Sequence, residues 1–223
     1  MTYAILKLSN DKIGGTSLTG GICGSAFFIK ENLALTANHV INTQTIGPNT
    51  GYKLYQYWLL GKDGSVIEFA KSDIKDYPDY DTTTITISKN TGQTLELTSE
   101  SPNIDDDIYN EGFVSDGMPI LETTWTSNRL EITKCNLSGL NANGNGKIKD
   151  IKKITLNAND VKLNNIEMIE ASYPGRKGMS GGPMLNSKSE QVIGIMSIGF
   201  PEDATIKTSV SAVSILEIMR KLK

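Results

Sequence analysis

The chain has 223 residues, a formal net charge of −3 and a hydrophobic content of 38%. This length accommodates one large all-β domain or two small ones, and no apolar run reaches the roughly 18 residues of a transmembrane helix. The acidic balance excludes the basic surface that is typical of nucleic-acid-binding proteins, so we expect neither a nucleic acid nor a membrane as partner.

Short apolar segments separated by turn residues run through the first half of the chain. Five of them are predicted strands, and they cover residues 3–8, 24–29, 33–36, 52–60 and 65–70. The second and third are separated by residues 30–32, and the last two by a turn that contains Asp63-Gly64. This is the pattern of two β-hairpins. The polar residues 73–79 are expected to form a loop.

The second half has the same texture of strands and turns without repeating the sequence of the first. The polar residues 89–106 are interpreted as the connection between an N-terminal unit, residues 1–100, and a C-terminal unit, residues 101–223. Further strands are predicted over residues 108–114, 120–126 and 129–137.

Residues 213–222 are the segment with a sustained helical period. Its apolar residues recur on one face, as they do in a short amphipathic helix. Ser211 or Ser214 would supply the N-cap. The sequence therefore predicts that the chain ends in one short helix.

Residues 141–152 imitate a calcium-binding loop, with oxygen donors at alternate positions. Asn141, however, stands where such loops begin with a carboxylate, and Lys152 stands where they carry a bidentate glutamate. A positive charge at that position would oppose cation binding. We therefore expect no metal here, and the Asn-Gly pairs favour a hairpin turn.

A serine flanked by glycines, in residues 178–183 (GMSGGP), has the sequence of a turn that exposes a nucleophilic hydroxyl. The chain has one histidine, His39, and it precedes Ser180. An α/β-hydrolase places its histidine after the nucleophile. A subtilisin-like order requires an aspartate before the histidine, where only Asp11 stands. The order that remains is histidine, aspartate, serine.

Residues 34–40 (ALTANHV), 178–183 (GMSGGP) and 194–199 (GIMSIG) resemble three motifs of the chymotrypsin/trypsin family of serine proteases, in the same order. The resemblance implies an all-β fold of two six-stranded antiparallel β-barrels, followed by a short C-terminal helix. It also implies a triad aspartate at the start of a strand. Asp81 fits this position because alternating residues follow it, with Asp79 as the alternative and Asp76 as a third competitor.

The resemblance assigns catalytic roles to His39, Asp81 and Ser180. Ser180 would attack a peptide carbonyl while His39 takes its proton and Asp81 orients the imidazole. The backbone N–H groups of Gly178 and Ser180 would form the oxyanion hole. No cofactor is implied. The expected partner is a protein or peptide substrate, with a regulatory protein as a further partner. The alternative function is a protease fold that binds peptides without cleaving them.

The resemblance places the substrate pocket around six residues, namely Pro174, Lys177, Met196, Ser197, Ile198 and Gly199. Pro174 stands where trypsin-like members carry the acid that selects basic side chains, so we expect a pocket for a small or medium apolar side chain. Arg176 and Lys177 at its rim would favour acidic residues in the substrate. Residues 197–199 would pair with the substrate backbone as an added strand.

Cysteine usage differs from that of secreted members of the family. Cys23 stands where one partner of a family disulfide would lie, but Val40 occupies the place of the other partner, and Cys135 is distant in sequence. We expect two free thiols, as in a reducing compartment. Because the first residues also lack the pattern of a signal peptide, we expect a cytoplasmic protein.

Residues 12–15 (KIGG) imitate the activation site of a trypsin zymogen. In the family, the N-terminus released by cleavage pairs with a buried aspartate directly before the nucleophile, where this chain has Met179. Cleavage after Lys12 is therefore not expected to activate the chain.

Overall fold

The computed structural model describes residues 1–10, 18–42, 54–88, 91, 93–126, 129–158, 161–200 and 209–222. The first half contains strands β1 (Thr2–Asn10), β2 (Leu18–Lys30), β3 (Leu33–Thr36), β4 (Leu54–Gly61), β5 (Val66–Phe69), β6 (Ile74–Tyr77) and β7 (Thr82–Thr86), helix α1 (Asn38–Asn42) and a 3₁₀ turn, Lys71–Asp73. The second half contains β8 (Asp107–Asn110), β9 (Ile120–Thr126), β10 (Arg129–Asn136), β11 (Gly144–Ala158), β12 (Val161–Ala171), β13 (Pro183–Asn186), β14 (Val192–Phe200), β15 (Ser209–Ser214) and helix α2 (Ile215–Lys221). The zymogen-like residues 12–15 lie outside the described ranges.

Strands β1–β7 form one antiparallel sheet in the order β5-β4-β1-β2-β3-β7-β6. Both predicted hairpins are confirmed, since β2 pairs with β3 and β4 pairs with β5. Gly64 has a φ of 83° in the second turn, a conformation that L side chains rarely adopt. The loop predicted over residues 73–79 is wrong in part, because β6 pairs with β7 as a seventh strand. An edge strand of this kind carries polar side chains without apolar alternation.

Strand β1 is buried on both of its faces. Tyr3 and Ile5 point into the main hydrophobic cluster, while Ala4 and Leu6 belong to a second cluster. Apolar residues of β10, in the hairpin β9–β10, cover this second cluster. The side chain of Gln56 in β4 holds the hairpin in place through two hydrogen bonds to the backbone of Leu130. A hairpin from the second half of the chain therefore covers the outer face of the first sheet.

Strands β8 and β11–β15 close a six-stranded barrel in the order β11-β12-β15-β14-β13-β8. Side chains of β12 alternate between two clusters, with Ile169 in the barrel interior and Met168 in the main cluster. The main cluster also contains Ile5 and Phe28 of the first sheet. The two halves thus share a core, which holds the ends of β3, β7 and β14 close to one another.

The Asn-Gly hairpin turn predicted within residues 141–152 is wrong. Gly144 begins β11, and both Gly144 and Gly146 pair with β8. A Cβ at Gly144 would lie 2.4 Å from the ring of Tyr173, and a Cβ at Gly146 would lie 3.1 Å from it. The two glycines therefore serve the close approach of an aromatic ring to a strand, not a turn.

The predicted C-terminal helix is confirmed, but it begins later than its apolar period suggests. Val213 still belongs to β15, and α2 starts at Ile215. Ser214 occupies the N-cap position, although its hydroxyl makes no capping hydrogen bond, and Ser211 lies in β15. Neither helix in the described part of the chain has the length and apolar character needed to cross a membrane.

Candidate active site

His39 lies at the start of helix α1, directly after strand β3. Thr36 and Ala37, which lead into the helix, are fully buried. At the other end of the helix, the buried Lys7 ammonium donates to the carbonyl of Ile41 at 3.3 Å. Burial lowers the pKa of Lys7. Contacts at both ends therefore fix the helix that carries His39.

Asp81, immediately before β7, holds His39 through both of its N–H groups. The carboxylate accepts from the ring Nδ1 of His39 at 2.8 and 3.0 Å, and from the backbone N–H of His39 at 2.9 Å. The side chain of Asp81 is 1% exposed and that of His39 is 17% exposed. Because a carboxylate only accepts hydrogen bonds, Nδ1 carries the proton and Nε2 of the neutral ring is the basic nitrogen.

The hydroxyl of Ser197, in β14, also donates to the carboxylate of Asp81. The carbonyl of the same residue accepts from the hydroxyl of Ser180 at 3.4 Å. Ser197 is therefore in contact with both Asp81 and Ser180, and it links the two halves of the chain at this point. The sequence indicated Ser197 only as a pocket residue, because its contact with Asp81 joins positions 116 residues apart.

The two competing aspartates have other partners. Asp79 forms an exposed ion pair with Lys162 at 2.8 Å. Asp76 accepts hydrogen bonds from Asn38 at 2.9 Å and from Thr83 at 2.7 Å. Of the three candidates, Asp81 is the one whose carboxylate holds both N–H groups of His39.

Ser180 lies half-buried in the turn before β13. Its carbonyl accepts a hydrogen bond from the backbone N–H of Ser25 at 2.8 Å. The following residue, Gly181, has a φ of 82°, and a Cβ there would lie 2.2 Å from the carbonyl oxygen of Ser25. Glycine is required at this position because the serine turn lies directly against the backbone of β2.

The N–H groups of Gly178 and Ser180 are oriented by the peptide units to which they belong. The carbonyl before Gly178 accepts from the N–H of Ser115 at 3.0 Å, and the carbonyl before Ser180 accepts from the N–H of Gly182 at 3.0 Å. In a trans peptide unit the N–H points away from the carbonyl, so both N–H groups point away from these partners. Within the described part of the chain, neither of the two N–H groups donates a hydrogen bond.

The predicted pocket residues lie in two environments. Pro174 and Lys177 are exposed, as is Arg176. Met196 is 2% exposed and belongs to the barrel core, where the hydroxyl of Tyr173 donates to its Sδ at 3.7 Å. Burial raises the pKa of that hydroxyl. The side chain of Met196 therefore supports the barrel from within.

Residues 197–199 of β14 extend past the end of the neighbouring strand β13. Ile198 and Gly199 pair with β15 on one side. On the other side, the pairing of β13 with β14 extends only to Ile195. A strand that outlasts its partner in this way has the geometry to which an extended peptide can add.

Two residues support this site without any signal in the sequence. The hydroxyl of Ser25 donates to the carbonyl of Gly178 at 2.8 Å. The side-chain amide of Asn38 donates to Asp76 and, at 3.0 Å, to Thr83, which joins α1 to the strands β6 and β7. Both contacts join segments that are distant in the sequence, so a local pattern could not reveal them.

Both cysteines are free thiols. Burial raises the pKa of Cys135, and it raises the pKa of Cys23 to about 12. Among the described residues, no group of three or more His, Cys, Asp or Glu side chains is placed to hold a metal ion.

Residues 24–195 match the model of the trypsin-like peptidase domain, and the chain belongs to this family. No curated protein matches the sequence. The fold is similar to that of the inactive form of Rv3671c from M. tuberculosis, with 14% identity, a TM-score of 0.60 and coverage of 98% of this chain and 84% of that one. The chymotrypsin-like all-β fold predicted from the sequence is thereby confirmed, although the first half forms a seven-stranded sheet and not the predicted six-stranded barrel.

Two further solved proteases share the fold. The HtrA-type protease AlgW, solved with a tripeptide, has 18% identity and a TM-score of 0.62, and the match covers 98% of this chain and 60% of that chain. The serine endoprotease from Yersinia pestis has 17% identity and a TM-score of 0.58, with coverage of 98% and 62%. The chain thus spans less than two thirds of these two proteins.

Proposed function

We propose that this chain is a serine endopeptidase that works through His39, Asp81 and Ser180. The observation that carries the proposal is the hydrogen bonding of Asp81, whose buried carboxylate accepts from both N–H groups of His39 and from the hydroxyl of Ser197. Buried carboxylates are costly unless they are fully hydrogen-bonded, and here the donors belong to the groups that a serine protease needs to position.

In the proposed reaction, the hydroxyl of Ser180 attacks a peptide carbonyl and its proton passes to Nε2 of His39. Asp81 keeps the proton of the neutral ring on Nδ1 and stabilises the imidazolium that forms. His39 then returns a proton to the leaving amine, and an acyl group remains on Ser180. Water releases the acyl group by the same steps in reverse order.

The oxyanion of the tetrahedral intermediate would be bound by the N–H groups of Gly178 and Ser180. Support comes from the orientation of their peptide units, whose carbonyls are held by Ser115 and Gly182. A donor of this kind contributes about 3–4 kcal/mol to transition-state stabilisation. It does so because it is in place before the charge develops.

We propose a protein or peptide substrate that adds to β14 alongside residues 197–199. An HtrA-type protease of similar fold was solved with a tripeptide, which supports peptide binding by this fold. Pro174 brings no acid to the pocket, so a small or medium apolar residue should precede the scissile bond. Exposed Arg176 and Lys177 would favour acidic residues nearby. Cleavage of a peptide library tests this, and a dominance of Lys or Arg before the cut would contradict it.

We propose that the activity is constitutive or set by a regulatory protein, and not released by cleavage. Met179 belongs to the barrel core and its Sδ accepts from the N–H of Arg176 at 2.9 Å, so the serine turn is supported without a newly formed N-terminus. The two free thiols favour action in a reducing, cytoplasmic setting. Subcellular fractionation tests the location.

The proposed function is tested with a fluorophosphonate probe, which reacts with an activated serine. Wild type should be labelled, whereas Ser180→Ala and His39→Ala should not, with circular dichroism confirming that all three are folded. Cleavage of fluorescently labelled casein then distinguishes a peptidase from an esterase. Folded wild-type protein that stays unlabelled would contradict the proposal and favour the alternative, a protease fold that binds peptides without cleaving them.

A further inference from the structure

Ser25 of β2 is fully buried. It forms hydrogen bonds with three segments that meet at the serine turn, namely the turn itself, the segment around Phe113 and the end of β3. Its hydroxyl donates to the carbonyl of Gly178 at 2.8 Å and accepts from the N–H of Phe113 at 3.0 Å. Its backbone N–H donates to the carbonyl of Ser180 at 2.8 Å. Its own carbonyl accepts from the hydroxyl of Thr36 at 2.7 Å.

We propose that Ser25 is a positioning residue. Its hydroxyl holds the peptide unit between Gly178 and Met179, and thereby positions the two adjoining units whose N–H groups form the oxyanion hole. This inference rests on the proposed function and names one more residue on which the rate of the same site depends. Ser25 does not touch the reacting atoms. It acts through the carbonyl of Gly178.

A hydroxyl suits this place because one group both donates and accepts. It satisfies the carbonyl of Gly178 and the N–H of Phe113, two backbone groups that are buried together. Within the described part of the chain, removing the hydroxyl would leave both groups without a partner, which favours a rotation of the peptide unit after Gly178. Gly178 has a φ of 96° and no Cβ, so it offers little resistance of its own to such a rotation.

The surroundings of Ser25 leave no room for another group to take over this role. A Cβ at Gly112 would lie 3.2 Å from the hydroxyl oxygen of Ser25, and a Cβ at Gly182 would lie 3.4 Å from its Cβ. Glycines therefore surround the serine, and its hydroxyl is the side-chain donor that reaches Gly178. The loop is also supported by the side chain of Met179 and by backbone groups.

The test compares wild type, Ser25→Ala and a control, Ser214→Ala. Ser214 is also a buried serine, but its hydroxyl has no hydrogen-bond partner within the described part of the chain. Hydrolysis of p-nitrophenyl acetate gives two quantities for each protein. The burst counts the competent sites, and the rate of the burst measures acylation at each of them.

Ser25→Ala should acylate about 10- to 100-fold more slowly per competent site, with KM within about threefold of wild type, because a displaced oxyanion donor loses part of the roughly 10²- to 10³-fold that such a donor contributes. Ser214→Ala should keep the wild-type rate. A purely structural role would lower the number of competent sites and leave the rate at each site unchanged. That result would overturn the proposal.

Crystal structures of wild type and Ser25→Ala give a readout that needs no activity. A changed orientation of the Gly178 carbonyl supports the proposal, and an unchanged orientation overturns it. If wild type shows no burst, the proposed function fails, and these structures still decide the role of Ser25. If Ser25→Ala does not fold, Ser25→Cys, which keeps a weak donor in the same place, should give an intermediate rate per site, and a wild-type rate there would overturn the inference.

Discussion

The carboxylate of Asp81 holds the ring Nδ1 and the backbone N–H of His39 at 2.8 and 2.9 Å. Asp81 itself has a left-handed backbone, with a φ of 42°. Aspartate and asparagine adopt this conformation more readily than other non-glycine residues. The backbone that aims the side chain at His39 is therefore compatible with either residue, so an exchange between them changes the chemistry of the side chain and not the turn.

Asp81→Asn should lower the rate of fluorophosphonate labelling by about 10⁴-fold while the protein stays folded. The carboxylate accepts from the backbone N–H of His39 on one oxygen and from the ring of His39 and the hydroxyl of Ser197 on the other. An amide replaces one of these oxygens with a donating nitrogen, so at least one of these hydrogen bonds is lost. It also favours the wrong tautomer of the imidazole. Labelling rates, with circular dichroism as the folding check, measure the effect.

The other two candidate aspartates supply matched controls for this exchange. Asp79→Asn loses an exposed ion pair, and such pairs contribute about 0–1 kcal/mol to stability. Asp76→Asn keeps an oxygen that can accept from Asn38 and Thr83. Both variants should be labelled at close to the wild-type rate. A large loss in Asp79→Asn, with Asp81→Asn unaffected, would move the triad acid to Asp79.

Gly178→Ala should destabilise the fold by about 2–5 kcal/mol, from backbone strain and overpacking together. A Cβ at this glycine would lie 2.2 Å from the carbonyl oxygen of Phe113 and 2.6 Å from the N–H nitrogen of Ser115. Urea unfolding measures the free energy. Gly139→Ala is the control, since Gly139 has a similar φ of 79° but no atom within 4 Å of the added Cβ, and it should cost only about 1–2 kcal/mol. Equal losses in the two variants would show that steric contact is unimportant at Gly178.

Ser197→Ala should lower the rate of labelling about tenfold and the free energy of unfolding by about 1.5–3 kcal/mol, the usual contribution of a hydrogen bond to a charged group. The variant removes one of the donors to the buried carboxylate of Asp81 but leaves both bonds from His39. Ser211→Ala, a buried serine in the neighbouring strand β15, serves as control. An unchanged rate in Ser197→Ala would mean that His39 alone positions Asp81.

The Cys23 thiol should resist alkylation in the folded protein. Burial raises its pKa from 9.0 to about 12, so its thiolate fraction at about pH 8 falls roughly 10³-fold. Iodoacetamide should modify Cys23 slowly before unfolding and rapidly in urea, with mass spectrometry locating the label. Rapid modification of the folded protein would contradict the raised pKa of this half-buried thiol.

The raised pKa of Cys23 makes the free energy of unfolding depend on pH in a defined direction. The folded thiol keeps its proton at pH values where the unfolded thiol has lost it, so raising the pH from 9.0 towards about 12 favours the unfolded chain. The stability of wild type should therefore fall over this interval, and the fall should be smaller in Cys23→Ala. Tyr173, whose pKa burial also raises, leaves part of the dependence in place.

Local signals in the sequence accounted for the hairpins and for the order of the site residues. Asp63-Gly64 marks a turn by the conformations that its own residues adopt. The position of His39 before Ser180 excludes the order of an α/β-hydrolase, and the subtilisin order is disfavoured because only Asp11 precedes His39. The hairpin turn predicted around Gly144 is wrong because glycine is suited both to turns and to strands that pass close to an aromatic ring. Only the position of Tyr173 in the folded chain separates the two cases.

The contacts that support the site could not be predicted from the sequence for the same reason. Ser197 and Met196 are neighbours in an apolar strand, and nothing local indicates that the first binds Asp81 while the second packs into the barrel core. The contact between Ser25 and Gly178 joins positions 153 residues apart. Such contacts are fixed by how the two sheets share a core, which is a property of the whole chain and not of any segment.

The hydrogen bond from Ser197 to Asp81 can form only late in the synthesis of the chain. His39 and Asp81 are synthesised first, and Ser197, which donates to Asp81, follows 116 residues after Asp81. Ser180 likewise emerges only after most of the chain. A growing polypeptide therefore carries His39 and Asp81 before Ser180, and every donor to the carboxylate of Asp81 is present only when β14 has been synthesised.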